Sequence, residues 1–109
     1  MKNFEIAEAL GLKVVCPGEE REVASAYCGD LLSWVMGRIG SDAAWLTVMT
    51  NSNVAAVAVL RDAACVILCD GAQPDEELLA RAARENISLY ASEESSFSVA
   101  AKLAPLIGV

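Results

Sequence analysis

Nucleophilic catalysis of the familiar kinds needs a base beside its hydroxyl or thiol, and this chain has no histidine to supply one. Ser-His and Cys-His arrangements are therefore excluded. No GxxxxGK[ST] run is present to cradle a phosphate. Acids are plentiful, 15 in all, but none falls into a recognised catalytic spacing. One enzymatic reading survives, in which Asp30 and Asp70 act as paired carboxylates, and it requires the two to converge in a pocket. The cysteines Cys16, Cys28, Cys65 and Cys69 lack the close pairs of a zinc or disulfide framework. Cys65 and Cys69 sit in the very apolar run from Ala63 to Cys69 and read as small core hydrophobes. No metal or cofactor is expected.

Binding residues are easier to nominate. Thr50-Asn51-Ser52-Asn53, with Thr47 just before it, offers hydroxyls, amides and a helix N-terminus with no acid nearby. That suits an anion or a polar ligand, although Ser52 or Asn53 could equally serve as an ordinary helix cap. Gly29 permits close backbone approach at a strand end, and Asp30 could accept from a ribose or a base, or simply cap the next helix. Asp70-Gly71 ends the most buried strand and is also a standard turn pair. The acids Asp75, Glu76 and Glu77 that follow would repel phosphate there. Ser92-Glu93-Glu94-Ser95-Ser96 is similarly acidic and reads as a capped turn.

These loops need elements to hold them, and the periodicity alternates between helix and strand. Phe4 to Leu10 is a predicted helix with Phe4, Ala7 and Leu10 on one face, and Gly11 then Leu12 forms its C-terminal cap. Leu12 to Cys16 is a short strand closed by Pro17-Gly18. Glu22 to Tyr27 is extended. Asp30 precedes a helix marked by Leu31, Leu32, Val35, Met36 and Ile39, which Gly40 ends. Ala44 to Val48 is a strand, and Val54 to about Asp62 a helix. Ala64 to Leu68 is a strand without alternation, as burial of both sheet faces requires. Pro74 is placed at the first position of a helix whose buried stripe is Leu78, Leu79, Ala82 and Ala83. Ile87 to Tyr90 is the last strand. Ser95 or Ser96 opens a final helix with Phe97, Ala100, Leu103 and Ile107 inward. Strand and helix in alternation, with short loops, predict one α/β domain over residues 1–109. Its sheet is mostly parallel, of about four to five strands, with helices on both faces.

Composition then limits the partners. Apolar residues make up 55% of the chain and the net charge is −7. Eight scattered Lys and Arg form no basic stripe, so neither nucleic acid nor an anionic membrane is an expected partner. The first residues carry Glu5 and Glu8 where a signal peptide needs an apolar run, so the cytoplasm is the expected location. The uncharged stretch from Ala43 to Leu60 is broken by Thr47, Thr50, Asn51, Ser52 and Asn53 and reads as strand, turn and helix, not a membrane span. A small domain this apolar has excess surface to bury, and self-association is the outlet. The segment from Val54 to Leu60 has no polar residue on any helical face, which places a homodimer contact on Val54, Val57, Ala58 and Leu60.

From Arg21 to Ser33 (Arg-Glu-Val-Ala-Ser-Ala-Tyr-Cys-Gly-Asp-Leu-Leu-Ser) the chain resembles a DRTGG domain. Trp45-Leu46-Thr47, Asn53 to Ala58, Pro74-Asp75-Glu76 and the Phe97…Lys102-Leu103 ending extend the resemblance over nearly the whole chain, as in a stand-alone member. Such a domain stands at the N-terminus of HPr kinase/phosphorylase and inside some CBS-domain pyrophosphatases. There it accompanies nucleotide-binding CBS domains and contributes to the dimer. The resemblance implies an α/β regulatory or assembly module. It implies no kinase activity, which belongs to a separate P-loop domain. The family's Thr-Gly-Gly falls on Ala24, Ser25 and Ala26, and a histidine common after the Trp strand is Asn51 here. The expected function is a non-catalytic, self-associating module serving a partner protein or complex. The alternative is a sensor of a nucleotide or other small anion, binding at the carboxyl ends of the strands.

Overall fold

The strand with no polar side chain in it, Cys65–Leu68, lies at the centre of the sheet, where both faces are covered. The computed structural model describes all 109 residues. In chain order the strands are β1 (Lys13–Cys16), β2 (Ser25–Cys28), β3 (Ala43–Thr47), β4 (Cys65–Leu68) and β5 (Leu89–Ala91). The helices are α1 (Asn3–Ala9), α2 (Leu32–Arg38), α3 (Asn53–Leu60), α4 (Glu76–Arg84) and α5 (Ser96–Leu106). The sheet order is β1-β5-β4-β3-β2. β2, β3, β4 and β5 run parallel, and β1 joins β5 antiparallel with an irregularity between Val14 and Cys16.

Alternation along the strands divides the core into two layers. Trp45, Val66, Leu68 and Leu89 face α2, α3 and α4. Ala44, Leu46, Ile67 and Tyr90 face α1 and α5, meeting Ile6, Val99 and Leu103. At α1 the chain ends its helix as its glycine suggests. Gly11 is left-handed (φ 64°), its amide bonds the Glu8 carbonyl and the Leu12 amide bonds the Ala7 carbonyl. A buried knot ties α1 to the sheet: the Asn3 amide group donates to the carbonyls of Glu19 and Ala64 and to the Ser88 hydroxyl.

Several expectations are corrected by packing. Phe4 is half-exposed while Ile6 and Ala7 fill the α1 interface. Pro74 stands outside α4. Asp75 is its cap, accepting from the Leu78 amide at 2.8 Å. The buried stripe of α4 is Leu78 and Ala82, with Leu79 and Ala83 exposed. On α5 the inward residues are Val99 and Leu103, and Phe97 is 84% exposed.

The dimer contact placed on α3 is also overturned. α3 lies between α2 and α4 on the same face of the sheet, and both neighbours pack against it. Val54, Val57 and Ala58 are therefore buried within the chain and cannot meet a second copy. Only Leu60 of that set is exposed, at 70%. A helix flanked on both sides needs no polar face, which explains its uninterrupted apolar sequence. No helix is long and apolar enough to cross a membrane.

Candidate functional site

The carboxyl ends of the four parallel strands gather the nominated loops at one rim of the sheet, but their polar groups are largely turned on one another. Asp30 follows β2 and does not cap α2. The cap position is Leu31, which makes no side-chain bond. The Asp30 carboxylate instead accepts from the Thr47 hydroxyl and the Val48 amide, both at 2.8 Å. The buried Trp45 indole donates to the Gly29 carbonyl at 2.9 Å. The glycine is needed for packing: a Cβ there would stand 2.8 Å from the Tyr27 ring and 3.3 Å from Val35. The segment from Gly29 to Asp30 is thus bolted to β3.

The loop from Thr50 to Asn53 is similarly self-contained. Ser52 is the cap residue of α3 without a side-chain bond, and Asn53 is already helical. Asn51 does the local work, its side-chain oxygen accepting from the Asn53 amide at 2.9 Å. The Thr50 carbonyl takes the Asp75 amide at 3.0 Å, tying this loop to the start of α4. None of the three cavities is lined by Thr50, Asn51, Ser52 or Asn53. Nor do Asp30 and Asp70 line a common one, so the paired-carboxylate reading has no pocket to work in. Asp70 takes a left-handed turn (φ 58°) and gives its amide to the Glu94 carbonyl.

The rim does hold a cavity of about 300 Å³ beside Gly71, between Lys13, Gln73, Ser92 and Glu93. Its lining is mixed in charge. Glu94, at its border, is neutralised by Lys102 at 2.7 Å and accepts from the Ser98 hydroxyl at 2.7 Å. Those donors, Lys102 first, hold the Glu94 carboxyl below its ordinary range. A second cavity, about 130 Å³, lies at the other end of the sheet by Arg21 and Asp62.

The third concave feature is of another kind, and sequence reasoning missed it. A groove of about 200 Å³ runs between β2 and α5, and every residue lining it is apolar. Ala26 and Cys28 form one wall, Ala100, Ala104 and Ile107 the other, with Leu103 at the floor. It lies where α5 runs over the β2 edge of the sheet, next to β3, and the α5-side residues of β2 stay exposed beside the helix. Two signals pointed to it. The α5 segment carries more apolar residues than one buried stripe uses, and the stretch from Val23 to Gly29 has no charge. The Cys28 thiol on this wall is pushed above its ordinary value, chiefly by burial and then by the nearby Asp30 carboxylate. All four cysteines are free.

The family model of the DRTGG domain matches residues 5–106. No curated protein is similar to the chain. Among solved structures, it is similar to the CBS and DRTGG domains of the regulatory region of Clostridium perfringens pyrophosphatase complexed with activator, diadenosine tetraphosphate. The TM-score is 0.73 at 16% identity, over 93% of this chain and 45% of that one. At that identity the likeness is one of fold, and the chain spans less than half of the structure it matches.

Proposed function

The chain belongs to the DRTGG domain family, and from that premise we propose that it is a non-catalytic regulatory and assembly module that works by self-association. The observation that carries this reading is the uncovered apolar groove between β2 and α5. Its stripe continues outward to Phe97, 84% exposed on the same helix. An apolar surface that a small fold leaves open is normally a contact surface. The polar rim supports the non-catalytic half of the reading, since Asp30, Thr47 and Asn51 are engaged with their own chain. Light scattering at micromolar concentration tests it and should report twice the 11.5 kDa chain mass. A mass equal to one chain would reject it.

A sensor reading is favoured by one observation, the 300 Å³ cavity at the strands' carboxyl ends with Lys13 at its mouth. The regulatory region of the similar pyrophosphatase is complexed with a nucleotide activator. Thermal denaturation with and without diadenosine tetraphosphate separates the two readings: a raised midpoint, lost in Lys13→Ala, supports sensing. The acids Glu93 and Glu94 at that rim weigh against a polyphosphate.

A further inference from the structure

The two edges of this sheet are treated differently. The β1 edge carries the exposed Lys13, an irregular register between Val14 and Cys16, and Pro17 immediately after it. Charge, bulge and proline are the devices that keep a sheet edge from pairing with another chain. The β2 edge has none of them. Ser25-Ala26-Tyr27-Cys28 contains no charge and no proline, pairs β3 in unbroken register, and has no strand on its other side. The Gly29 amide bonds the Leu46 carbonyl on the β3 side, while the Thr47 carbonyl turns to β4 and accepts from the Cys69 amide. By the alternation of a parallel ladder, Tyr27 also faces β3, and the amides and carbonyls of Ala26 and Cys28 point to the open side.

Resting on the self-association reading above, we propose that β2 is the pairing edge. Two copies join antiparallel through β2 about a two-fold axis and extend the sheet across the dimer, with the α5 stripe of each closing the groove of the other. The occupant is a second copy for two reasons. An antiparallel strand edge is complementary to itself under a two-fold, so the open donors and acceptors of Ala26 and Cys28 find partners in the same residues of the mate. Charge gives the second reason. Each copy carries −7, so most faces of one would repel most faces of the other. The patch from Ala26 through Ala100, Ala104 and Ile107 is uncharged, and the nearest cation on α5, Lys102, is already held by Glu94. Two-fold apposition here sets no like charges together.

The test combines solution mass with edge variants. Cys28→Pro removes an outward amide without touching the inner ladder, Ala26→Asp places a carboxylate in the groove, and Leu60→Glu serves as a control on α3. The wild type and Leu60→Glu should both scatter as dimers, while the first two should dissociate with at least about a tenfold weaker constant. A monomeric wild type would reject self-association altogether. A dimeric wild type with dimeric, folded Cys28→Pro and Ala26→Asp would leave self-association standing and overturn the β2 edge. Amide hydrogen exchange on the unaltered protein gives an arm independent of variant folding. The outward Ala26 amide should be protected in the dimeric sample, and exchange there at the rate of an unprotected amide would overturn the proposal.

Discussion

The Asp30 carboxylate accepts the Thr47 hydroxyl at 2.8 Å, so the end of β2 is latched to the end of β3 just beyond their last backbone bond, from the Gly29 amide to the Leu46 carbonyl. Thr47 is fully buried. In Asp30→Ala its hydroxyl and the Val48 amide lose their acceptor, and the expected loss is about 1–3 kcal/mol. Asp30→Asn keeps an acceptor oxygen and should cost less. Helix content should not fall in either, because α2 takes no cap from this side chain. Urea denaturation followed by circular dichroism checks both points. An unchanged midpoint in Asp30→Ala would mean that the carboxylate is free for a ligand.

That latch marks where residue patterns stop being informative. The alternation of strands and helices was legible because each segment carries its own period, and the unbroken apolar run at β4 announced a strand buried on both faces. The C-terminal caps were legible too, since Gly11 has few other uses before an apolar residue. Side-chain direction at the termini was not. Asp30 looks like a helix cap until β3 arrives and offers Thr47, a partner far away in sequence. Phe97 fits the helical stripe of α5, yet it stands out in solvent while Val99 and Leu103 make the helix's contact with the sheet. The apolar α3 spoke of burial but could not say whether α2 and α4 or a second copy supplied it. In each case the missing quantity was which neighbour covers a face, and that is set by the sheet order.

The two faces of α5 should respond oppositely to truncation. Leu103 is buried against the sheet, and Leu103→Ala should cost about 2–5 kcal/mol through lost transfer energy and the cavity left behind. Phe97 touches little of its own chain, and Phe97→Ser should change the stability of the monomer by no more than about 0.5 kcal/mol. Equilibrium unfolding at a protein concentration low enough to give monomers measures both. A loss in Phe97→Ser as large as that in Leu103→Ala would show that Phe97 packs inward as its spacing suggests.

Thiol chemistry reads the same layers. Burial pushes the Cys65 thiol up to about 12 and also raises Cys69. Neither has a thiolate or a path to solvent near neutral pH. Cys28 is exposed. Labelling with a maleimide at a protein concentration low enough to give native monomers, followed by mass spectrometry, should modify Cys28 first and leave Cys65 and Cys69 untouched until denaturant is added. Because Cys28 is itself raised, its rate should keep climbing as pH passes the ordinary thiol range. Fast labelling of Cys65 in the native protein would contradict the buried β4.

Acid sensitivity follows from one guanidinium at the opposite end of the sheet. Arg21 bonds Asp62 at 2.9 Å and also pairs with Asp42. The Asp42 amide in turn donates to the Asp62 carbonyl at 2.8 Å, and both aspartates hold left-handed turns (φ 61° and 57°). Arg21 holds the Asp62 carboxyl below its ordinary value. The folded state therefore binds fewer protons than the unfolded state near the ordinary Asp value of about 4. The contribution is fully present above that value and is lost as pH falls through the lower, folded one. Glu94 beside Lys102 acts in the same sense. Urea midpoints should accordingly fall between about pH 5 and 3. In Arg21→Met the Asp62 part of that slope should vanish, while the neutral-pH midpoint drops because two carboxylates in adjoining turns lose their shared cation. Since Glu94 keeps its lysine, part of the slope should survive in Arg21→Met and disappear only when Lys102→Met is added. A slope unchanged by both substitutions would place the acid-sensitive groups elsewhere in the chain.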